Sequence, residues 1–164
     1  MNQSISYGMQ TKPAGEIERV LEDLVKVTES INAILITKEG TAVSEAGDNS
    51  YLNTTALAAL IAGMFTATRE VARMVGEEKF SILLQQGENR HIHISLVTES
   101  IMMVVIFENY QAIGRVRHEA RKTGRILYDL LENTDNSKEV PSDLSVPQFK
   151  EYALNLIDRI FVSK

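Results

Sequence analysis

The chain has 164 residues, of which 44% are hydrophobic and 24% charged, enough for one domain with a substantial core. A net charge of −5 argues against a protein held mainly by phosphate backbones, so no nucleic-acid partner is expected. Cysteine is absent, which excludes disulfides, thiolate zinc sites and thiol catalysis, and agrees with a reducing compartment.

Residues 1–12 are rich in Asn, Gln and Ser and read as a flexible tail without an apolar stretch of signal-peptide length. No window approaches the roughly 18 to 20 apolar residues that span a bilayer. A soluble, cytoplasmic protein with no membrane insertion is therefore expected. From Gly15 to Leu24, the apolar Ile17, Val20, Leu21 and Leu24 recur at three- and four-residue steps, one face of a helix, with Pro13 in its first turn. Ile31 to Thr37 reads as a strand, Lys38-Glu-Gly40 as a turn, and Thr41 to Ala46 as the returning strand.

The most distinctive stretch runs from Asn53 to Val75. Asn53 or Thr54 can cap it as a helix, and Gly76 can close it in the C′ position. Phe80 to Gln86, Arg90 to Val97 and Ile101 to Phe107 follow as three strands. The breaks between them, Gly87-Glu-Asn89 and Thr98-Glu-Ser100, are too short for anything but antiparallel hairpins. A further helix is expected from about Tyr110 to Leu131, with Ile113, Val116, Ala120, Leu127 and Leu131 inward.

Residues 133–145 are polar, with a proline, and read as a linker. Ser145-Val-Pro-Gln148 has capping-box spacing, and residues 146–162 are expected as a C-terminal amphipathic helix whose stripe includes Phe149, Tyr152, Leu156 and Ile160. The order α-β-β-α-β-β-β-α over residues 13–132 is met most simply by an α+β layered fold, a five-stranded antiparallel sheet with helices on both faces. Parallel pairing fails because the connections are too short for crossovers.

This order and several of its segments resemble the roadblock/LC7 family, whose domain is profilin-like, and within it the bacterial MglB-like proteins. The segments are Asn53-Thr-Thr-Ala-Leu-Ala-Ala-Leu-Ile-Ala-Gly63, Val75-Gly-Glu-Glu-Lys-Phe80, Val104-Val-Ile-Phe-Glu-Asn109 and Ile113-Gly-Arg-Val-Arg117. The resemblance implies a homodimer in which the long middle helices lie together and the sheets join edge to edge. It also implies a partner, a small Ras-like GTPase of the MglA type, whose GTP hydrolysis is stimulated by reordering the GTPase's own switch residues, without an inserted arginine. The C-terminal helix would modulate that contact. The bulky pair Met64-Phe65, with Arg69 and Arg73, departs from the smaller or less charged residues expected there.

On the middle helix, Ala59, Gly63 and Ala67 stand at four-residue steps, flanked by Thr55, Ala62 and Thr66 and followed by Glu70. Such a stripe suits close approach by a second subunit or a partner; the plainer alternative is tight packing on the protein's own sheet. Arg115, Arg117, Arg121, Lys122 and Arg125, with His118 among them and Glu119 against them, read first as a solvated face. An acidic partner surface, an anionic lipid or an arginine finger is the functional alternative.

His91 and His93, two apart in a strand, share one face. Without a third ligand they read as a chance pair on the surface. There is no G-x-S-x-G, no P-loop and no G-x-G-x-x-G, so neither enzymatic activity nor a cofactor is expected. An adaptor without effect on hydrolysis, or a sensor with a ligand pocket between sheet and helices, are the competing functions.

Overall fold

The computed structural model describes residues 12–136. The expected C-terminal helix, with Phe149, Tyr152, Leu156 and Ile160, lies outside the described residues, as does the tail before Lys12.

The first helix, α1 (Lys12–Thr28), buries Ile17, Leu21 and Leu24, the spacing its apolar residues require. Strands β1 (Asn32–Thr37) and β2 (Ala42–Gly47) form a hairpin whose turn carries Gly40 at φ +95°. The long helix α2 (Thr54–Met74) follows. Then come β3 (Ile82–Gln86), β4 (His91–Leu96) and β5 (Ile101–Phe107). A single 3₁₀ turn, Tyr110–Ala112, leads into α3 (Ile113–Asn136), which continues past Leu131 through residues 133–136.

Pairing is antiparallel throughout, and the strands lie in the order β2-β1-β5-β4-β3. The last of the described strands is therefore the central one. It is buried along its whole length, which explains why Ile101-Met-Met-Val-Val-Ile-Phe107 lacks any polar alternation.

Side-chain alternation divides the core into two layers. Ala33, Leu35, Met103, Val105 and Phe107 face α1 and α3, meeting Leu21, Leu24, Val116, Ala120 and Leu127. Ile34, Ile36, Ile94, Val104 and Ile106 face the other way and meet Ala58, Ile61, Ala62 and Phe65 of α2. The expected five-stranded sheet with helices on both faces is thus the observed one. Among the described residues, no helix is long and apolar enough to cross a membrane.

Candidate functional site: the outward face of the middle helix

Both ends of α2 are fixed by local chemistry. The Asn53 side chain accepts a hydrogen bond from the Ala56 N–H at 3.1 Å, supplying one of the partners that the first turn lacks. At the other end Gly76 takes φ +90°, its N–H donates to Arg73 O at 3.0 Å, and the Glu77 N–H donates to Ala72 O at 2.8 Å. These are the two bonds of a Schellman closure, and the left-handed conformation is why a glycine stands there.

Ala58, Ile61, Ala62 and Phe65 point into the sheet. Phe65 is tied to Phe80, just before β3, with ring centroids 5.1 Å apart and a tilt of 33°. Its bulk therefore belongs to the core and leaves the outward surface unchanged. Ala62 corrects the sequence reading: at 5% exposure it is a core residue, turned by about 100° per step around the helix from its supposed companions. The other six residues of the stripe, Thr55, Ala59, Gly63, Thr66, Ala67 and Glu70, lie outside the core. Glu70 accepts a hydrogen bond from Arg73 at 2.7 Å in an exposed i, i+3 ion pair, so this part of the surface is locally neutralised.

Large apolar side chains share that outward surface. Leu60 is 72% exposed and Met74 87%, with Val71 and Val75 also exposed. Gly63 lies among them in mid-helix, where a glycine costs about 1 kcal/mol relative to alanine. An added Cβ at Gly63 would meet nothing within 4 Å, so packing among the described residues does not explain it. Gly40 is different. Its Cβ would come 2.9 Å from the Ala59 Cα, and the hairpin turn lies directly on the helix backbone there. Helix α2 thus buries one flank in the sheet and presents small and apolar residues on the opposite side.

The histidine pair is not on the surface. His91 and His93 are 2% and 1% exposed, because β4 is an inner strand covered on both faces. The His91 ring lies 5.2 Å from the rings of both Phe107 and Tyr110. His93 faces α3, and burial, helped by the charge of Arg117, lowers its pKa to about 4. Among the described residues, no group of three or more metal-binding side chains comes together.

On α3, Arg115 reaches Glu29 at 3.4 Å and Lys122 reaches Glu119 at 3.6 Å. Arg117, Arg121 and Arg125 form no ion pair with a described carboxylate. They line a cleft of about 530 Å³ between α3 and the β3–β4 side of the sheet; the sequence suggested a pocket between sheet and helices as a competing possibility but none of its lining residues.

A layered sheet of this topology, flanked by two helices on one side and one long helix on the other, defines the roadblock and profilin-like class. The Roadblock/LC7 domain matches residues 16–107, more than half of the chain, and the protein belongs to the roadblock/LC7 family. It is similar in structure to MglB of Myxococcus xanthus, with 30% identity and a TM-score of 0.69 over 72% of this chain and 96% of that one. It also resembles the gliding protein MglB of Thermus thermophilus, with 24% identity and a TM-score of 0.68 over 74% and 92% of the two chains. An MglB described as having a tetrameric arrangement superposes with a TM-score of 0.68 at 23% identity, over 74% of this chain and 91% of that one. No curated protein matches the sequence significantly. The assignment to an MglB-like branch of the family thus rests on structural likeness together with the segments noted in the sequence.

Proposed function

We propose that this roadblock/LC7 protein acts as a homodimeric regulator that binds a small Ras-like GTPase of the MglA type. In this reading it stimulates hydrolysis by reordering the GTPase's own switch residues and contributes no catalytic group. The observation that carries the reading is the outward surface of α2. Leu60, Val71 and Met74 are exposed there beside Ala59, Gly63 and Ala67, and Gly63 has no packing reason among the described residues. A contiguous apolar surface marks a protein contact, and small residues let a second backbone approach. Similarity to MglB of M. xanthus supports the same choice.

Three surfaces are available for the dimer among the described residues: the outward side of α2 and the two outer edges of the sheet, β2, which pairs only with β1, and β3, which pairs only with β4. An unpaired edge is a template for a further strand. A cytoplasmic setting, where Ras-like GTPases work, goes with this reading.

The test is single-turnover GTP hydrolysis by the Ras-like GTPase encoded nearest to this protein, with and without it. Acceleration that disappears in Gly63→Arg, while the variant keeps its fold, supports the regulator and its surface. Binding without acceleration selects an adaptor, and absence of binding overturns the proposal.

A further inference from the structure

The cleft on the opposite side of the sheet is separate from the α2 surface. One wall is α3, where Arg117, Arg121 and Arg125 recur at four-residue steps, about 6 Å apart along the axis and on one side of the helix. The facing wall is the β3–β4 side of the sheet, with Ile82 and Ser95. Tyr128 closes the far end, where Asp129 is the one carboxylate of the lining.

The imidazole of His93 forms part of the floor. It is 1% exposed, and neither Nδ1 nor Nε2 has a hydrogen-bond partner among the described residues. A buried polar group left in this way costs stability that a hydrogen-bonding occupant would restore. Gly124 is the second anomaly. It lies in the interior of α3 on the cleft wall, at the helix-propensity cost of a mid-helix glycine, and an added Cβ there would meet nothing within 4 Å. The chain thus leaves room where a side chain would fit.

Three guanidiniums without a partner among the described carboxylates call for an anion, and phosphate accepts forked hydrogen bonds from several of them at once. The cleft is far larger than a phosphate ion, within the range of small-molecule sites. Its inner end is uncharged, since a His93 held well below its ordinary pKa is a neutral imidazole that offers one donor and one acceptor. Charge alone would let an acidic surface meet the arginines; the unpartnered imidazole deeper in the cleft favours a small occupant that carries its own donor and acceptor.

We propose that this cleft binds a small phosphate ester of about mononucleotide size, its phosphate on Arg117, Arg121 and Arg125 and its polar body against His93. The site is independent of the GTPase contact, because it opens on the α1–α3 side of the sheet.

The experiment is calorimetric titration of the full-length protein with AMP, with inorganic pyrophosphate and with an acidic poly-glutamate peptide, followed in parallel by the ¹⁵N ring signals of the three histidines. AMP and pyrophosphate should bind in competition, and AMP should move the His93 ring signals. Arg117→Gln and Arg121→Gln, both at exposed positions, should each weaken AMP binding by about tenfold or more. Gly124→Leu, which keeps every charge and favours the helix, should abolish AMP binding without lowering the melting temperature. The proposal is overturned if neither phosphate compound binds at low salt, or if Gly124→Leu binds AMP like the parent. Tight binding of poly-glutamate with no movement of His93 also overturns it, and would make the arginines a docking surface for an acidic protein.

Discussion

The rings of Phe65 and Phe80 stand 5.1 Å apart, joining the middle of α2 to the segment that leads into the edge strand β3. This contact is part of the layer that α2 shares with the sheet, and Phe65 is 3% exposed. Phe65→Ala removes most of a buried ring and leaves a cavity, so it should cost about 3–5 kcal/mol. Chemical denaturation should show a lower midpoint with an unchanged slope.

Leu60 lies on the opposite side of the same helix, so a change there should separate folding from association. Leu60→Glu should leave the far-UV spectrum intact and shift monomer stability within about 0.5 kcal/mol. Sedimentation should instead show a lower-mass species at concentrations where the parent self-associates. A variant that unfolds would place Leu60 against something other than the described residues, which leave it 72% exposed.

His93 makes stability depend on pH in one direction. Its pKa is about 4 in the folded protein and 6.5 as a free side chain, so between those values the unfolded chain holds a proton that the folded chain refuses. Stability is therefore greatest above pH 6.5, falls as pH drops toward 4, and levels out below it with respect to this group. The full span is on the order of 3 kcal/mol, at about 1.36 kcal/mol per pKa unit. His93→Leu should flatten this part of the stability–pH curve, measured by denaturation at pH values across the window.

Gly40 combines a left-handed φ of +95° with a backbone contact that leaves no space for a Cβ. Gly40→Ala should destabilise by about 1–3 kcal/mol through backbone strain. The more open Gly76, also left-handed, should cost less when changed to Asn, a residue that tolerates this conformation. Melting temperatures of the two variants compare the clash with the conformational penalty.

Much of the fold was legible because the strands are apolar and their connections short. Ile101 to Phe107 has no polar alternation, and a chain that turns in so few residues after Gln86 and after Val97 has little choice but antiparallel hairpins. The helix ends were legible as well, from Asn53 and Gly76. What could not be read was the rotation of α2. Alanine favours neither side, so Ala58, Ala59 and Ala62 gave no direction, and Ala62 went to the sheet.

The histidines were misread for a related reason. Polar residues alternating with Ile92 and Ile94 look like a solvated side until β4 is placed inside the sheet, where both of its faces are covered. The cleft depends on distant segments meeting: Arg117, Arg121 and Gly124 have no visible relation to His93 until α3 crosses β4. A glycine interrupting an arginine-bearing helical pattern was the available signal.

The strand order has a consequence for how the molecule is made. β1 pairs only with β2 and β5, and β4 only with β3 and β5, so the two hairpins have no hydrogen bonds to each other. They become one sheet when Ile101 to Phe107 inserts between them, pairing at its far side with Asn32 to Thr37, from much earlier in the chain. Closing so long a loop is entropically slow. During synthesis the first hairpin and α2 must therefore wait, with apolar surface uncovered, until the ribosome has released β5, which makes this interval the one in which a nascent chain most needs protection from its neighbours.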